Sequence, residues 1–374
     1  RRAAGARPPG LRRPVQARVS RTPDAALADH HASPTSHKGL HYPFGERAPE
    51  PGELIEVAPD VHWARLPVPG ALRHINVWTV EEEGGVAIVD TGLPLDTCKE
   101  AWRAILAGPL SGRTVTRVIV THMHPDHLGL AGWLTRKFGV RLWMTRGEYL
   151  TARLLVADAR PEPPEDVVAM WRGAGWSDEQ IAAATARGWS MFARAVHKLP
   201  DGYVRVQAGD RLGAFDTIVG SGHSPEHLCL VDPGRRVMIA GDQVLPRISS
   251  NVSLTMLEPD GDPLGEWLDS LARFRAELPG DLLVLPAHGA PFTGLHARLD
   301  ALVEGHEKQL ARLEDRLAEA PRRAVDCFGV MFARAIDDKL LGMATGETLA
   351  HLRWLERRGR AVREEREGVW WWRR

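Results

Sequence analysis

Between His122 and His127, four side chains able to donate a lone pair to a cation stand within six residues: His122, His124, Asp126 and His127. They follow Val115-Thr116-Arg117-Val118-Ile119-Val120, a β-type run. Imidazoles and a carboxylate crowded at the end of a buried strand lose hydration, and a bound cation is the simplest compensation. Three later segments repeat the arrangement. Ile218-Val219-Gly220 breaks into a Gly/Ser/Pro turn at His223, Val237 to Gly241 ends in Asp242, and Leu282 to Ala287 ends in His288. Each of these side chains sits just past a strand, where loops on a rigid sheet carry function. Val86 to Gly92 has the same form, and its Asp90 is expected to orient a ligand imidazole from behind. Nitrogen and oxygen donors without thiolate suit Zn²⁺ and tolerate Fe or Mn. Two such ions a few ångströms apart clamp a water or hydroxide between them.

The motifs H-x-H-x-D-H, G-H-S-P, G-D and a late A-H-G occur here in that order. This order resembles the metallo-β-lactamase superfamily, in its glyoxalase-II-like hydrolase branch, over roughly residues 50 to 295. The resemblance implies an α+β fold, a four-layer αββα sandwich with the metals at one edge of the two sheets. It implies that His122, His124 and His223 hold one metal, that Asp126, His127 and His288 hold the second, and that Asp242 bridges them. The chemistry expected is a metal-bridging hydroxide attacking an ester, thioester or lactone carbonyl, with Asp126 also taking or giving the proton. A phosphodiesterase, ribonuclease or promiscuous phosphotriesterase on the same centre is the alternative. Oxygen-reducing di-iron relatives usually carry Glu at the position of His124, which argues against redox chemistry. The basic set that binds glutathione in true glyoxalase II is not evident.

The chain has 374 residues, with 48 Lys and Arg against 48 Asp and Glu. Zero net charge gives no global attraction to nucleic acid or anionic membrane, and no apolar run reaches the length of a membrane span. Cys98, Cys229 and Cys327 are odd in number and widely spaced, which reads as free thiols in a reducing, cytoplasmic setting. Composition divides the chain into three. Residues 1–50, rich in Arg, Pro, Ala, Ser and Gly, read as a disordered tail, with a cleaved organelle-type leader as the alternative. Residues 51–296 carry the motifs, and residues 297–374 form a C-terminal module.

Strands are expected at Val57 to Arg65, Ile75 to Val80 and Arg141 to Met144, with helices at Leu95 to Ala107 and Leu128 to Phe138. Gly147 to Pro200 reads as a mostly helical insert containing Trp171, Trp176, Trp189, Met191 and Phe192. A bare metal site needs a wall to choose its substrate, so this insert is expected to form a hydrophobic lid, with Trp171 and Trp189 as substrate contacts. His74, His227 and Arg247 are further candidate contacts, Arg247 for a substrate carboxylate or phosphate. Leu295 to Ala320 is amphipathic, with Leu299, Leu302, Val303, His306, Leu310, Leu313 and Leu317 on one face. Two short helices are expected after Pro321, one opening at Gly346, then charged residues and a closing strand at Val369 to Trp372. Helix, helix and an Arg-rich strand pair resemble the winged-helix module attached to some hydrolases of this fold. A packing or homodimer-forming accessory is preferred to a nucleic-acid reader, because Glu356, Glu364, Glu365 and Glu367 dilute the arginines.

Overall fold

The computed structural model describes residues 36–374, so the first 35 residues of the tail expected at residues 1–50 lie outside the described residues. Residues 36–50, expected to belong to it, carry two short strands and buried side chains. β1 (Ser36–His37) and β2 (Leu40–His41) form a small hairpin whose His41 backbone exchanges hydrogen bonds with Thr293. Leu40 and Tyr42 are buried, so apolar contact overrides the loop-like composition of this segment.

The first sheet contains β3 (Ile55–Ala58), β4 (Val61–Pro67), β5 (His74–Glu82), β6 (Gly85–Val89), β7 (Val115–Ile119), β8 (Leu142–Met144) and β9 (Val204–Arg205), side by side in chain order. The single strand expected at Val57 to Arg65 is two strands, because Asp60 takes a left-handed conformation, φ +64°, and reverses the chain. The second sheet contains β10 (Arg211–Leu212), β11 (Phe215–Gly220), β12 (His227–Asp232), β13 (Val237–Gly241) and β14 (Leu283–Pro286), again in chain order.

Side-chain alternation builds the layers. From β4 to β6, Val61, Trp63, Trp78, Ala87 and Val89 point into one core with Leu228, Leu230, Val237 and Ile239 of the second sheet. The intervening Ala64, Leu66, Ile75, Val77 and Ile88 point the other way, against α1 (Asp96–Ala107) and α3 (Ala131–Phe138). In the second sheet Cys229, Val231, Met238 and Ala240 face outward, against α8 (Pro263–Glu277) and α9 (Leu295–Glu319). The result is the expected αββα sandwich, with both sheets buried between helical layers.

The helix expected at Leu128 to Phe138 is broken into α2 (Pro125–Leu128) and α3. At the break the backbone amide of Leu130 donates to Gly92 O instead of continuing α2. Gly129 permits this approach, since a β carbon there would lie 2.6 Å from Gly92 O. The insert holds α4 (Arg146–Ala157), α5 (Glu165–Ala174), α6 (Asp178–Ala186) and α7 (Met191–Arg194).

Beyond α9, the chain forms α10 (Phe328–Met331), α11 (Leu341–Arg357) and a hairpin of β15 (Val362–Arg366) with β16 (Val369–Arg373). α11 is neither short nor opened by Gly346, which lies inside it. A β carbon at Gly346 would lie 2.8 Å from Ser253, so glycine there admits the loop whose Leu254 amide donates to Gly346 O. The module has no core of its own. Leu310, Leu313, Leu317, Leu349, Leu352 and Trp372 share one apolar cluster with Met238, Ala240 and Trp267. Residues 297–374 are therefore expected to unfold together with the second sheet. Leu313→Ala should lower the stability of that single transition by about 2–5 kcal/mol, read by chemical denaturation with both far-ultraviolet dichroism and tryptophan fluorescence. Two separated transitions would show that the module is independent.

Candidate metal centre

The strands deliver their following residues to one rim of the sandwich. Asp90 follows β6, His122 to His127 follow β7, His223 follows β11, Asp242 follows β13 and His288 follows β14. Backbone hydrogen bonds tie these ends together: Leu228 N donates to Thr121 O at 2.8 Å, Ala287 N to Gly241 O at 2.9 Å, and Asn76 N to Ala287 O at 2.7 Å.

All seven expected ligands converge. His122 Nε2, His124 Nδ1 and His223 Nε2 form a triangle with sides of 2.9, 3.0 and 3.2 Å. Asp126 Oδ2 lies 3.2 Å from His288 Nε2 and 3.9 Å from His127 Nε2. Asp242 joins both groups, with Oδ2 at 3.6 Å from both His127 and His223 Nε2 and Oδ1 at 3.6 Å from His288 Nε2. Three sets of three donors can each close on one ion: His122–His124–His223, His122–His127–Asp242 and Asp126–His127–His288. In each set the donor atoms lie within 4.8 Å of one another, close enough to share one cation at bond lengths of about 2.0–2.2 Å.

The outer ring nitrogens fix the inner ones. His127 Nδ1 lies 2.8 Å from Asp90 Oδ2, His223 Nδ1 lies 2.7 Å from Asn251 O, and His288 Nδ1 lies 2.9 Å from His74 O. Each of these oxygens accepts only, so the proton sits on Nδ1 and the Nε2 lone pair faces the cluster. Among the described residues, His127 Nε2, His288 Nε2 and Asp242 Oδ1 are buried and make no hydrogen bond. Lone pairs facing lone pairs and carboxylates repel unless positive charge lies between them, and this donor set fits divalent cations.

Titration follows the same logic. Burial, then the neighbouring imidazoles, pushes His122 well below its ordinary value, and burial with His223 pushes His124 down to about 3. Burial also lowers His127 and His288, but Asp90, Asp126 and Asp242 outweigh it at His127, and Asp242 and Asp126 outweigh it at His288, so both rise. Burial would raise Asp126 and Asp242, yet the adjacent His127 and His288 hold both carboxyls down. The acidic half of the cluster therefore attracts a proton where a cation would otherwise sit.

Asp90 takes φ +63°, strained for a residue with a β carbon, and its carboxylate accepts from Thr121 N at 2.8 Å while orienting His127. His227, expected as a substrate contact, is fully buried below the rim instead, where its Nε2 accepts from Asp242 N at 3.0 Å. His74 contributes its carbonyl to His288. The Arg247 guanidinium lies over the Tyr42 ring, 5.6 Å from its centroid. Trp171 and Trp189, expected as substrate contacts, pair with groups of the insert and, through Trp176, of α11. Trp171 stacks face to face on Trp176, whose Nε1 donates to Thr345 of α11, and Trp189 Nε1 donates to Asp158 within the insert.

Several supports escaped sequence reasoning. Glu148, fully buried, accepts from the backbone of both histidine-bearing loops. The loop after Asp242 is held by α9 and α11. Arg298 donates to Leu245 O at 2.5 Å and Ile248 O at 2.7 Å, His306 Nε2 meets Ser249 Oγ at 2.9 Å, and Asn251 Nδ2 donates to Glu347 at 2.9 Å. His306 sat in an apolar heptad-like stripe, which was its one signal.

Residues 70–288 match the family model described as "Metallo-beta-lactamase superfamily", and residues 310–374 match "Metallo-beta-lactamase-like, C-terminal domain". The chain is similar to the crystal structure of a β-lactamase domain protein from Burkholderia ambifaria, with 38% identity and a TM-score of 0.79, covering 90% of this chain and 98% of that one. It is 27% identical to the "Probable metallo-hydrolase YqjP" of Bacillus subtilis, over 79% of this chain and 92% of that protein. It is 24% identical to the "Atrochrysone carboxyl ACP thioesterase" of Emericella nidulans, over 87% of each chain. Fold, site and matches together define a metal-dependent hydrolase. The chain belongs to the metallo-β-lactamase superfamily.

Two outcomes are expected. Gly222 takes φ +97° and a β carbon there would lie 2.4 Å from Pro263 O and from Trp267 Cβ. Gly222→Ala should displace the adjacent His223 and lower bound metal at least tenfold, measured by elemental analysis of folded protein; unchanged metal content would refute the expectation. Glu347 is pushed up to about 7 by burial. Its unfolded carboxyl ionises near 4.5, so the native state loses stability from this group as pH rises from 4.5 through 7. Glu347→Gln removes that loss, and its melting temperature relative to wild type should rise between pH 5 and pH 8; a pH-independent difference would contradict it.

Proposed function

We propose that this chain hydrolyses an ester, thioester or lactone carbonyl at a centre of two divalent cations. The observation that carries the reading is that two donor sets meet at one shared carboxylate, Asp242, with inward lone pairs that no other described residue satisfies. His122, His124 and His223 would hold one cation and Asp126, His127 and His288 the other, with Asp242 common to both. Nitrogen and oxygen donors suit Zn²⁺, and Fe or Mn fit the same set. When bound, such ions supply Lewis acidity, acidifying water and polarising a carbonyl oxygen.

The side chains do the rest. Asp90, Asn251 O and His74 O fix three imidazole tautomers, so no ring must turn during turnover. Asp242, buried and acceptor-only when ionised, carries no proton at neutral pH. Asp126 is more open, with 18% of its side chain exposed against 11% for Asp242, and is the carboxylate suited to pass a proton between water and the leaving group. The thioesterase relative makes thioesters the first substrates to test.

The test pairs metal content with hydrolysis of a p-nitrophenyl ester, an acyl thioester, a lactone and bis-p-nitrophenyl phosphate. Wild type is expected to cleave at least one carbonyl substrate. His122→Ala and Asp242→Ala should each lose metal and lower kcat/KM by more than about 100-fold together. Undiminished hydrolysis by a metal-free variant, or cleavage of the phosphodiester alone, would overturn the carbonyl reading.

A further inference from the structure

Glu148 stands in the first turn of α4 with no exposure to solvent. Met123 N donates to its Oε2 at 2.8 Å, and Glu226 N donates to its Oε1 at 2.8 Å. Met123 lies between His122 and His124, while Glu226 closes the turn that bears His223. One carboxylate thus spans the two loops that supply the triangle of imidazoles. The same end of α4 holds Glu226 twice more: Gly147 N donates to Glu226 Oε2 at 2.7 Å, and Thr145 Oγ1 donates to Glu226 O at 2.7 Å. Gly147 permits that approach, since a β carbon there would lie 3.0 Å from the Glu226 side chain.

Burial pushes the Glu148 acid up to about 7, with the Ser224 hydroxyl and the two amides pulling the other way. A fold that needed only an apolar plug would place Leu or Met here. Two N–H groups arriving from different loops need two acceptor oxygens on one rigid plane. A carboxylate offers that, whereas a carboxamide turns an N–H toward one of the donors.

We infer that Glu148 is a positioning residue for the metal centre, fastening the His122–His124 loop to the His223 loop and thereby setting the distance across which the three imidazoles share a cation. This inference rests on the proposed metal centre, and it assigns no contact between Glu148 and substrate. Removing the clasp should loosen the triangle without removing any donor from it.

The test is a cobalt(II) titration of metal-stripped, full-length wild type and Glu148→Gln, followed by visible absorption, with melting temperatures of the stripped and loaded forms. Glu148→Gln should bind the first equivalent at least tenfold more weakly, show an altered ligand-field spectrum, and lose most of the metal-induced rise in melting temperature. The loaded variant should have a lower kcat with KM changed less than twofold. If Glu148→Gln does not fold, Glu148→Asp retains the charge but withdraws it by one methylene, and weakened cobalt binding is again expected. A variant that melts lower in both forms yet binds cobalt with wild-type affinity and spectrum overturns the inference and leaves the metal centre standing. A wild-type chain that binds no cobalt overturns both.

Discussion

The arrangement depends on repulsion that only positive charge relieves. Five imidazoles and two carboxylates point lone pairs into one small volume, at separations of 2.9 to 3.9 Å. Left alone, this cluster works against folding, because buried donors without partners lose their hydration and gain no hydrogen bonds. The protein does not soften the conflict by turning the rings away. It locks them inward, by giving each outer nitrogen of His127, His223 and His288 an acceptor. The affinity for a cation is therefore stored in the fold, and metal binding and stability of the rim are linked.

Such a rim requires strands that end together. β6, β7, β11, β13 and β14 each release a donor or its support at the same edge, and the two sheets are registered by backbone hydrogen bonds such as Leu228 N to Thr121 O. The inter-sheet core of Trp63, Trp78, Leu230 and Ile239 holds that register, since a one-residue slip would turn each strand's apolar side outward. Backbone strain is tolerated where the rim needs it. Asp90 keeps a left-handed conformation because its carboxylate is held by Thr121 and His127 at once.

The ligands were legible in the sequence because each is announced by a short-range signal, an apolar run followed by a turn with His or Asp. Short apolar runs likewise exposed the strands, which are buried on both faces. The supports were not legible, because their partners are distant. Glu148 reads as an ordinary first-turn acid of α4, favourable near a helix N-terminus whether or not it binds anything else. Trp171 and Trp176 read as a lid because sequence shows their type and not their direction; the structure stacks them against α11. His227 reads as a rim residue four positions past His223, yet it begins β12, and strand geometry buries it beneath Asp242. Residues 36–50 showed no period because the alternation is only three residues long, with Leu40 and Tyr42 buried on either side of exposed His41.

The C-terminal module gains a physical role from the same reasoning. The segment from Gln243 to Asn251 links Asp242 to the carbonyl that fixes His223, and loops of that kind are mobile unless tied down. α9 and α11 tie it at four points: Leu245, Ile248, Ser249 and Asn251. The ties are polar and directional, and they pass through buried groups, His306 onto His351 at 3.0 Å and His351 onto Glu347 O at 2.8 Å. A purely apolar contact would hold this loop against the helices but would leave it free to slide. Hydrogen bonds to named carbonyls fix its register, and with it the direction in which Asn251 O meets His223. Packing and chemistry are thus joined in this module, whose helices brace the back of the wall that carries the donors.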